Sequence, residues 1–286
     1  MPSVLLFVLI VATVAVHITT TTRQWVGLAW RASEKTSAHL KAYSAFTEVA
    51  FAVATAPFEA AHLRATLNGR EARWPLWGEK IEYGPGVEVS LQDLAGTLSL
   101  ITSPAAIGQV IDAGAPQRRQ PRATDALEDW IDTDDFKRLN GAESHDYRLL
   151  GLGYGPRNGL PQVMEEFALM PGIGAQGYER VRNLTSLWSA GTVNPLTMDR
   201  QLWEALFGST RAASLDALRR EGVLNRQAFT AVAGQLGSEE DVTFFPSRWV
   251  RVRIRARVGD GADELEAVVA RQETTSGPLV LAEWRP

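Results

Sequence analysis

The sequence predicts an α+β chain: a long N-terminal helix on an antiparallel β body, with a large all-α domain inserted between the strands of that body. Three observations predict it. An apolar run, Val4 to Val16, feeds straight into a helical pattern that reaches about Leu67. Two stretches of alternating apolar and polar residues, 87–94 and 250–258, mark half-buried strands far apart in the chain. Between them lie short helical patterns separated by loops rich in Gly and Pro.

Composition bounds what such a chain can do. With 286 residues, 45% of them hydrophobic, it can bury a sizeable core. A net charge of −4 disfavours a general nucleic-acid binder, which would be basic. The absence of cysteine removes disulfides, thiolate metal sites and Cys nucleophiles.

Taken in order, residues 1–18 form the apolar end. A full crossing needs ~20 apolar residues, so the run is a short membrane helix. A cleaved signal would carry basic residues first and a small-x-small site after the run. Neither is present, which reads as the start of a mature chain whose basic leader is absent here. A buried core helix is the competing reading. The shaft then continues, with a stripe of Ala42, Ala45, Val49, Ala52, Val53, Ala56 and Ala60 at helical spacing. Pro57 is expected to kink this helix and Asn68-Gly69 to stop it. Residues 70–86 read as turns. Residues 87–94 read as a strand, with Ala95-Gly96 turning it and residues 97–101 pairing back as a hairpin.

Residues 102–235 read as mostly helical, with segments at 125–131, 161–170, 176–187, 198–207, 214–220 and 226–236. Thr124-Asp125 and Thr197 are the expected N-caps. From residue 249 the pattern returns to strand. Arg251, Arg253, Arg255 and Arg257 share one face of 249–258, Gly259-Asp260-Gly261 closes the strand, and 264–271 and 279–284 complete a meander. Such a row of like charges is costly unless acids oppose it. Glu264, Glu266 and Glu273 are the internal partners; an acidic partner molecule or lipid headgroups are the alternative. A basic knot, Arg118, Arg119 and Arg122, sits beside Pro116 and Pro121.

Several motifs carry a family resemblance. Val89 to Leu100, VSLQDLAGTLSL, resembles a strand segment of the form V-x-I-x-D-L-x-G-x-x-N-L, with Ser99 in place of the Asn. Asp125 to Asp135, DALEDWIDTDD, is followed by Arg138-Leu139-Asn140-Gly141-Ala142-Glu143 and Asp146-Tyr147. Tyr154, Arg157-Asn158-Gly159, Glu165-Glu166, Met170-Pro171-Gly172 and Val193-Asn194 then follow in order. The combination resembles the minor pseudopilin K family of the bacterial type II secretion system. Leu5 stands where most pilins carry a glutamate, and that family is unusual in lacking the acid.

The resemblance implies a non-enzymatic structural subunit at the tip of a periplasmic pseudopilus. It implies minor pseudopilins I and J as partners in a heterotrimeric tip complex, with H and the major pseudopilin as further contacts. The chain would be a single-pass bacterial inner-membrane protein with its C-terminal part in the periplasm. Its organisation would be a membrane and shaft helix (1–67), a first part of the β body (68–103), an inserted α domain (104–237) and a second part of the body (238–286). Leu5, Leu6, Leu9, Val16, Leu28, Ala42 and Val49 would form the partner interface.

Candidate sites are few. Asp129, Asp132, Asp134, Asp135, Glu143 and Asp146 crowd around a Gly turn. Hard cations such as Ca²⁺ take six to eight oxygens from flexible loops. This is no EF-hand, since Phe136 falls where a ligand would sit. A solvated, helix-capping loop with Asp125 and Asp132 as caps is the plain alternative. The family resemblance implies calcium in the helical domain, assigned here to Asp132, Asp134, Asp135, Glu143 and Asp146. Met170-Pro171-Gly172-Ile173-Gly174 resembles a helix-hairpin-helix turn, which together with the arginine face supports a second reading, a pilin-like DNA-binding subunit of an uptake apparatus. No Lys follows that turn and the net charge opposes this, so no nucleic-acid partner is expected. Gly151, Gly153 and Gly155 lack the strand–turn–helix context of a nucleotide loop. The four histidines, His17, His39, His62 and His145, are scattered, the first three placed on the long helix.

Overall fold

The computed structural model describes residues 2–100, 103–113, 121–188, 191–236, 241–274 and 277–285. Helix α1 runs from Pro2 to Thr55. At 1.5 Å per residue it is ~80 Å long, longer than a small domain is wide. The chain's own strands cover only its last third: burial begins at Ala38 and recurs at Ala42, Ala45, Phe46, Val49, Ala52 and Val53. Small residues on that stripe let the sheet approach the helix closely.

The helix ends at Thr55, before Pro57, rather than continuing to Leu67. Residues His62–Leu67 are strand β1, which pairs antiparallel with β2 (Arg70–Pro75). Asn68-Gly69, expected to stop a helix, is the tip of this hairpin, with both residues at positive φ (50° and 71°). That is the two-residue turn whose twist matches paired strands, and Asn-Gly is its strongest signal. His62 therefore sits on a strand. Residues read as turns also supply β3 (Trp77–Gly84).

Strand β4 (Val87–Asp93) pairs with β3. Its expected hairpin with residues 97–101 does not form. Leu94–Gly96 makes a 3-10 turn, and β5 (Leu98–Ser99) pairs in parallel with β6 (Thr185–Ser186), deep in the helical region; Ile101 lies outside the described residues. The helical region holds α2 (Pro104–Ala113), α3 (Ala123–Ile131), α4 (Ser144–Leu149), α5 (Gly174–Val181), α6 (Arg200–Phe207), α7 (Ser209–Arg220) and α8 (Arg226–Ala233). Residues 161–170, expected as α-helix, instead hold a 3-10 helix over Met164–Leu169. Helices α2 and α4 lacked a clear sequence stripe. Asp199, not Thr197, caps α6, and Asp132 lies at the C-terminal end of α3.

After the helices the chain returns to the sheet. Strands β7 (Trp249–Val258), β8 (Gly261–Thr274) and β9 (Gly277–Arg285) complete a five-stranded antiparallel sheet in the order β3-β4-β7-β8-β9. Strands β4 and β7 are direct neighbours although the whole helical region separates them in sequence. Two apolar cores follow. One lies between α1 and the sheet, where Val250, Val252, Ile254 and Ala256 of β7 meet Ala38, Ala42 and Val49. The other fills the helical domain around Trp203, Tyr147, Phe167 and Phe229.

Side-chain contacts orient the pieces. Near the start of the covered part of α1, Glu34 accepts from the Asp260 N–H (3.2 Å) and His39 meets Asp263 (3.0 Å) at the β7–β8 turn. Near its end, Arg271 donates to the Ala56 carbonyl (2.9 Å). The helical domain joins at Asp93 and Trp249, the sheet end away from that turn. The order along the long axis is thus bare helix, β body, helical domain.

Candidate assembly face and acidic loop

The bare part of α1 is the first candidate site. An apolar window within it has a mean hydropathy of 2.3, none of it buried, and the helix is long and apolar enough to cross a membrane. Its hydroxyls are satisfied internally: Thr13 donates to the Leu9 carbonyl and Thr19 to the Ala15 carbonyl, both at 2.8 Å. Such bonds let a hydroxyl sit in an apolar medium at little cost. Of the residues expected at a partner interface, Leu5, Leu6, Leu9, Val16 and Leu28 are exposed, between 53% and 72%. Ala42 and Val49 are not: both are fully buried beneath the chain's own sheet. Their helical stripe was read correctly, but it faces strands of the same chain. Trp25 and Trp30, which sequence reasoning passed over, are exposed beside Leu28. Wide aromatics just after an apolar run were the available signal.

The second site is the joint between body and helical domain, whose hub is Asp93. Its carboxylate is fully buried and accepts from Ala95 N (3.1 Å), Ser247 N (3.0 Å), Ser247 Oγ (2.7 Å), Thr197 Oγ1 (2.8 Å) and Asn194 Nδ2 (3.4 Å). Burial pushes this carboxyl up from its ordinary value, against the hydrogen bonds from Ser247 and Thr197. One side chain thereby ties the strand that leaves the body to the loops that return to it. Beside it, the Arg219 guanidinium lies between the rings of Trp77 (4.6 Å) and Trp203 (4.1 Å), one from strand β3 and one from helix α6. The Trp188 and Trp249 rings stack across the same joint (5.0 Å). His62 packs edge-on against Trp77, and burial, with Arg73 beside it, lowers it to about 4.

The third site is the acidic loop. Arg138 occupies its centre: it pairs with Glu128 (2.8 Å), Asp129 (2.9 Å) and Asp132. Gly141 is obligatory there, since a Cβ would fall 1.9 Å from Asp129 Oδ2. Asp146 accepts from Lys137 Nζ (2.6 Å) and from the Glu143 N–H (3.0 Å). Burial would raise Asp146, but those two donors bring it below its ordinary value. Asp134 accepts from the Phe136 N–H (2.9 Å) and Asp135 from Ser144 Oγ (3.4 Å). Glu143 differs. It is buried, and although the capping geometry of α4 points an N–H toward it, neither oxygen closes a hydrogen bond. Burial first, then Asp129, Asp132 and Asp135, raise it to about 7. Asp132 Oδ1 is also buried and unpartnered. Among the described residues no three acids or histidines already converge on one point as a preformed metal site.

Two further motifs are explained by packing. Gly172 has a φ of 88°, and a Cβ there would fall 2.5 Å from the Pro121 carbonyl oxygen, so the helix-hairpin-helix-like turn is closed against the segment leading into α3. The arginine row is internally paired in part: Arg253 meets Glu266 and Arg255 meets Glu264 (2.9 Å). The Glu273 side chain, Arg118 and Arg119 lie outside the described residues.

These features define a class: an α+β chain with a projecting helix on a sheet that a helical domain interrupts. The family described as "Type II secretion system (T2SS), protein K" matches residues 106–190, within the helical domain. The type II secretion system protein K of Pectobacterium carotovorum subsp. carotovorum is 26% identical over 193 residues, 59% of this chain and 56% of that protein. The chain thus matches a little over half the length of this relative. A chain in the crystal structure of the GspK-GspI-GspJ complex from enterotoxigenic Escherichia coli superposes with a TM-score of 0.51, covering 93% of this chain and 98% of that one, at 14% identity. Over residues 106–190 the chain is thus similar to type II secretion system protein K.

Proposed function

We propose that this chain is a non-enzymatic minor pseudopilin that caps or initiates the type II secretion pseudopilus. The observation that carries the reading is the bare half of α1. An apolar helix surface of this size is not left in water, so lipid or neighbouring helices must cover it. In the inner membrane the covering is lipid; in the filament it is the equivalent helices of minor pseudopilins I and J, with H and the major subunit below. The helical domain sits at the far end of the body from that helix. Its bulk there is suited to ending a stack, and Leu5 needs no acid if no subunit lies ahead. The C-terminal part lies in the periplasm.

The test is co-purification of the full-length chain, in detergent, with minor pseudopilins I and J of the same bacterium. A stable ternary complex is expected, and its disruption by Leu9→Arg or Leu28→Arg. Absence of any complex with the parent chain would refute the reading.

The acidic loop deepens it. We propose that a hard divalent cation, Ca²⁺, binds there through both oxygens of Glu143 and Oδ1 of Asp132, which lack partners, with Asp134 and Asp135 alongside and Asp146 as an outer support. Three buried, unpartnered carboxylate oxygens fit such an ion, which would displace Arg138 or share its acids. Calcium is expected to raise the melting temperature of the parent chain at pH 8 and not that of Glu143→Gln. An equal rise in both would place the ion elsewhere.

A further inference from the structure

The face of the sheet opposite α1 does not pack flat against the helical domain. Between them lies a polar cavity of about 450 Å³, lined from the sheet by Lys80, four arginines and the carboxylates Glu264, Glu266 and Glu283, and from the helical side by Arg182 and Asn183. It continues through Lys80, Asn183, Arg253, Arg255 and Glu264 into a second space of about 300 Å³ that reaches Asp199 and Gln201. The result is a trough along β7 rather than a pit.

Strand register decides its charge. Across the sheet, Lys80 lies opposite Ser90, Ser90 opposite Arg253, Arg253 opposite Glu266, and Glu266 opposite Arg285. One row thus reads cation, neutral, cation, anion, cation. In the row of Arg251 the direct neighbours are Gln92 and Val268, neither charged. Arg255 is neutralised by Glu264, and Arg285 by Glu283 (2.6 Å) and Glu165 (2.7 Å). Arg182 meets Glu179 at 3.3 Å, with both side chains at least half exposed, a pair worth little. Lys80 has no carboxylate partner among the described residues.

Arg251 is the anchor. Its side chain is 5% exposed, held by the Thr185 carbonyl (2.7 Å) and the Asn183 carbonyl (3.4 Å). Its nearest carboxylate oxygen, Glu266 Oε1, is 3.8 Å away on a carboxylate whose other oxygen pairs with Arg253, and its Nε has no hydrogen-bond partner. Burial, and Arg253 beside it, lower it to about 10. A buried guanidinium without a committed carboxylate is an unmet demand for an anion.

We infer that this trough binds an acidic peptide segment, one carboxylate seated against Arg251, Arg182 and Lys80 and the extended chain following β7. The length favours a peptide over a single small anion, since the two spaces together exceed what one phosphate fills. The proposal does not depend on the filament reading and is tested on this chain alone.

The experiment is fluorescence anisotropy of the full-length chain in neutral detergent at low salt, with a fluorescein-labelled Glu-Gly-Glu-Gly-Glu peptide and its Gln counterpart. Saturable binding of the Glu peptide is expected, at least about tenfold tighter than the Gln peptide, as one charge-assisted contact would give. Lys80→Ala with Arg182→Ala removes two exposed side chains, leaves the core intact, and is expected to weaken binding by at least about tenfold on the same basis. Arg148→Ala, on α4, is expected to change nothing. Equal binding of the two peptides, or a double variant that binds like the parent, overturns the inference. Millimolar phosphate that competes while the Glu peptide shows no preference over Gln would mark a simple anion site and overturn the peptide assignment.

Discussion

Removing the Asp93 carboxylate should loosen the joint between body and helical domain before it harms either core. In Asp93→Ala the Ser247 and Thr197 hydroxyls keep alternative acceptors, the Trp249 carbonyl (3.1 Å) and the Asn194 carbonyl (3.2 Å). The Ala95 N–H does not, and it is buried. The Ser247 N–H also loses its acceptor but is half-buried, so water can compensate in part. An orphaned buried donor costs ~1–3 kcal/mol, so the loss is ~3 kcal/mol in total, with the vacated space adding to it. Asp93→Asn keeps one acceptor oxygen but turns an amide toward donors, and should cost ~1.5–3 kcal/mol. The assay is denaturant unfolding of the full chain with amide hydrogen exchange resolved by segment. Protection should fall at residues 93–97, 194–197 and 247–249 and persist in the core of α3. A Thr197→Val cycle should show coupling of ~0.5–3 kcal/mol with Asp93. If Asp93→Ala stays within ~0.5 kcal/mol of the parent, the size of an ordinary surface change, the hub argument is wrong.

Four other outcomes follow from the same geometry. The Glu143 carboxyl, raised from its ordinary 4.5 to about 7, binds its proton more tightly in the folded chain. Its stabilising contribution is therefore complete below about 4.5 and lost as pH rises through about 7, so metal-free parent should weaken across that window and Glu143→Gln should not; parallel pH–melting curves would contradict this. Arg219→Met should cost ~2–3 kcal/mol, because a desolvated cation–π sandwich and buried hydrogen bonds are lost together; urea titration reads it. Gly141→Ala should destabilise the acidic loop by ~1–3 kcal/mol through overpacking on Asp129, seen as faster exchange at Asn140 and Ala142. Val11→Arg should disfavour membrane insertion of α1 by ~2.5–3.5 kcal/mol, read as a drop in the membrane-integrated fraction while the soluble body keeps its melting temperature.

Much of the fold was legible because its periods are simple. The alternation in β7 is strict, so the apolar side chains of Val250, Val252, Ile254 and Ala256 had one possible face. The shaft stripe at Ala42, Ala45 and Val49 was equally readable. Its partner was not: a stripe shows that something covers a helix face, not whether the cover belongs to another chain. The Asn68-Gly69 error is of the same kind. The dipeptide ends a helix or turns a hairpin, and the choice depends on whether residues 62–67 find a partner strand in 70–75. In the acidic loop, spacing marked a dense set of carboxylates, but no pattern announced that Arg138 would sit among them or that Glu143 alone would be left unpaired.

Sequence by itself determined the bare apolar helix, the arginine face and the split of the body into two parts, since each follows from the order of residues along one segment. Only the tertiary structure decided that β4 and β7 are neighbours, that Asp93 holds five donors from both sides of the insertion, and that Arg251 lacks a directly opposed acid. Those depend on register and on closure of long loops. Their free energies come from contacts between residues more than a hundred positions apart, which local periodicity does not encode.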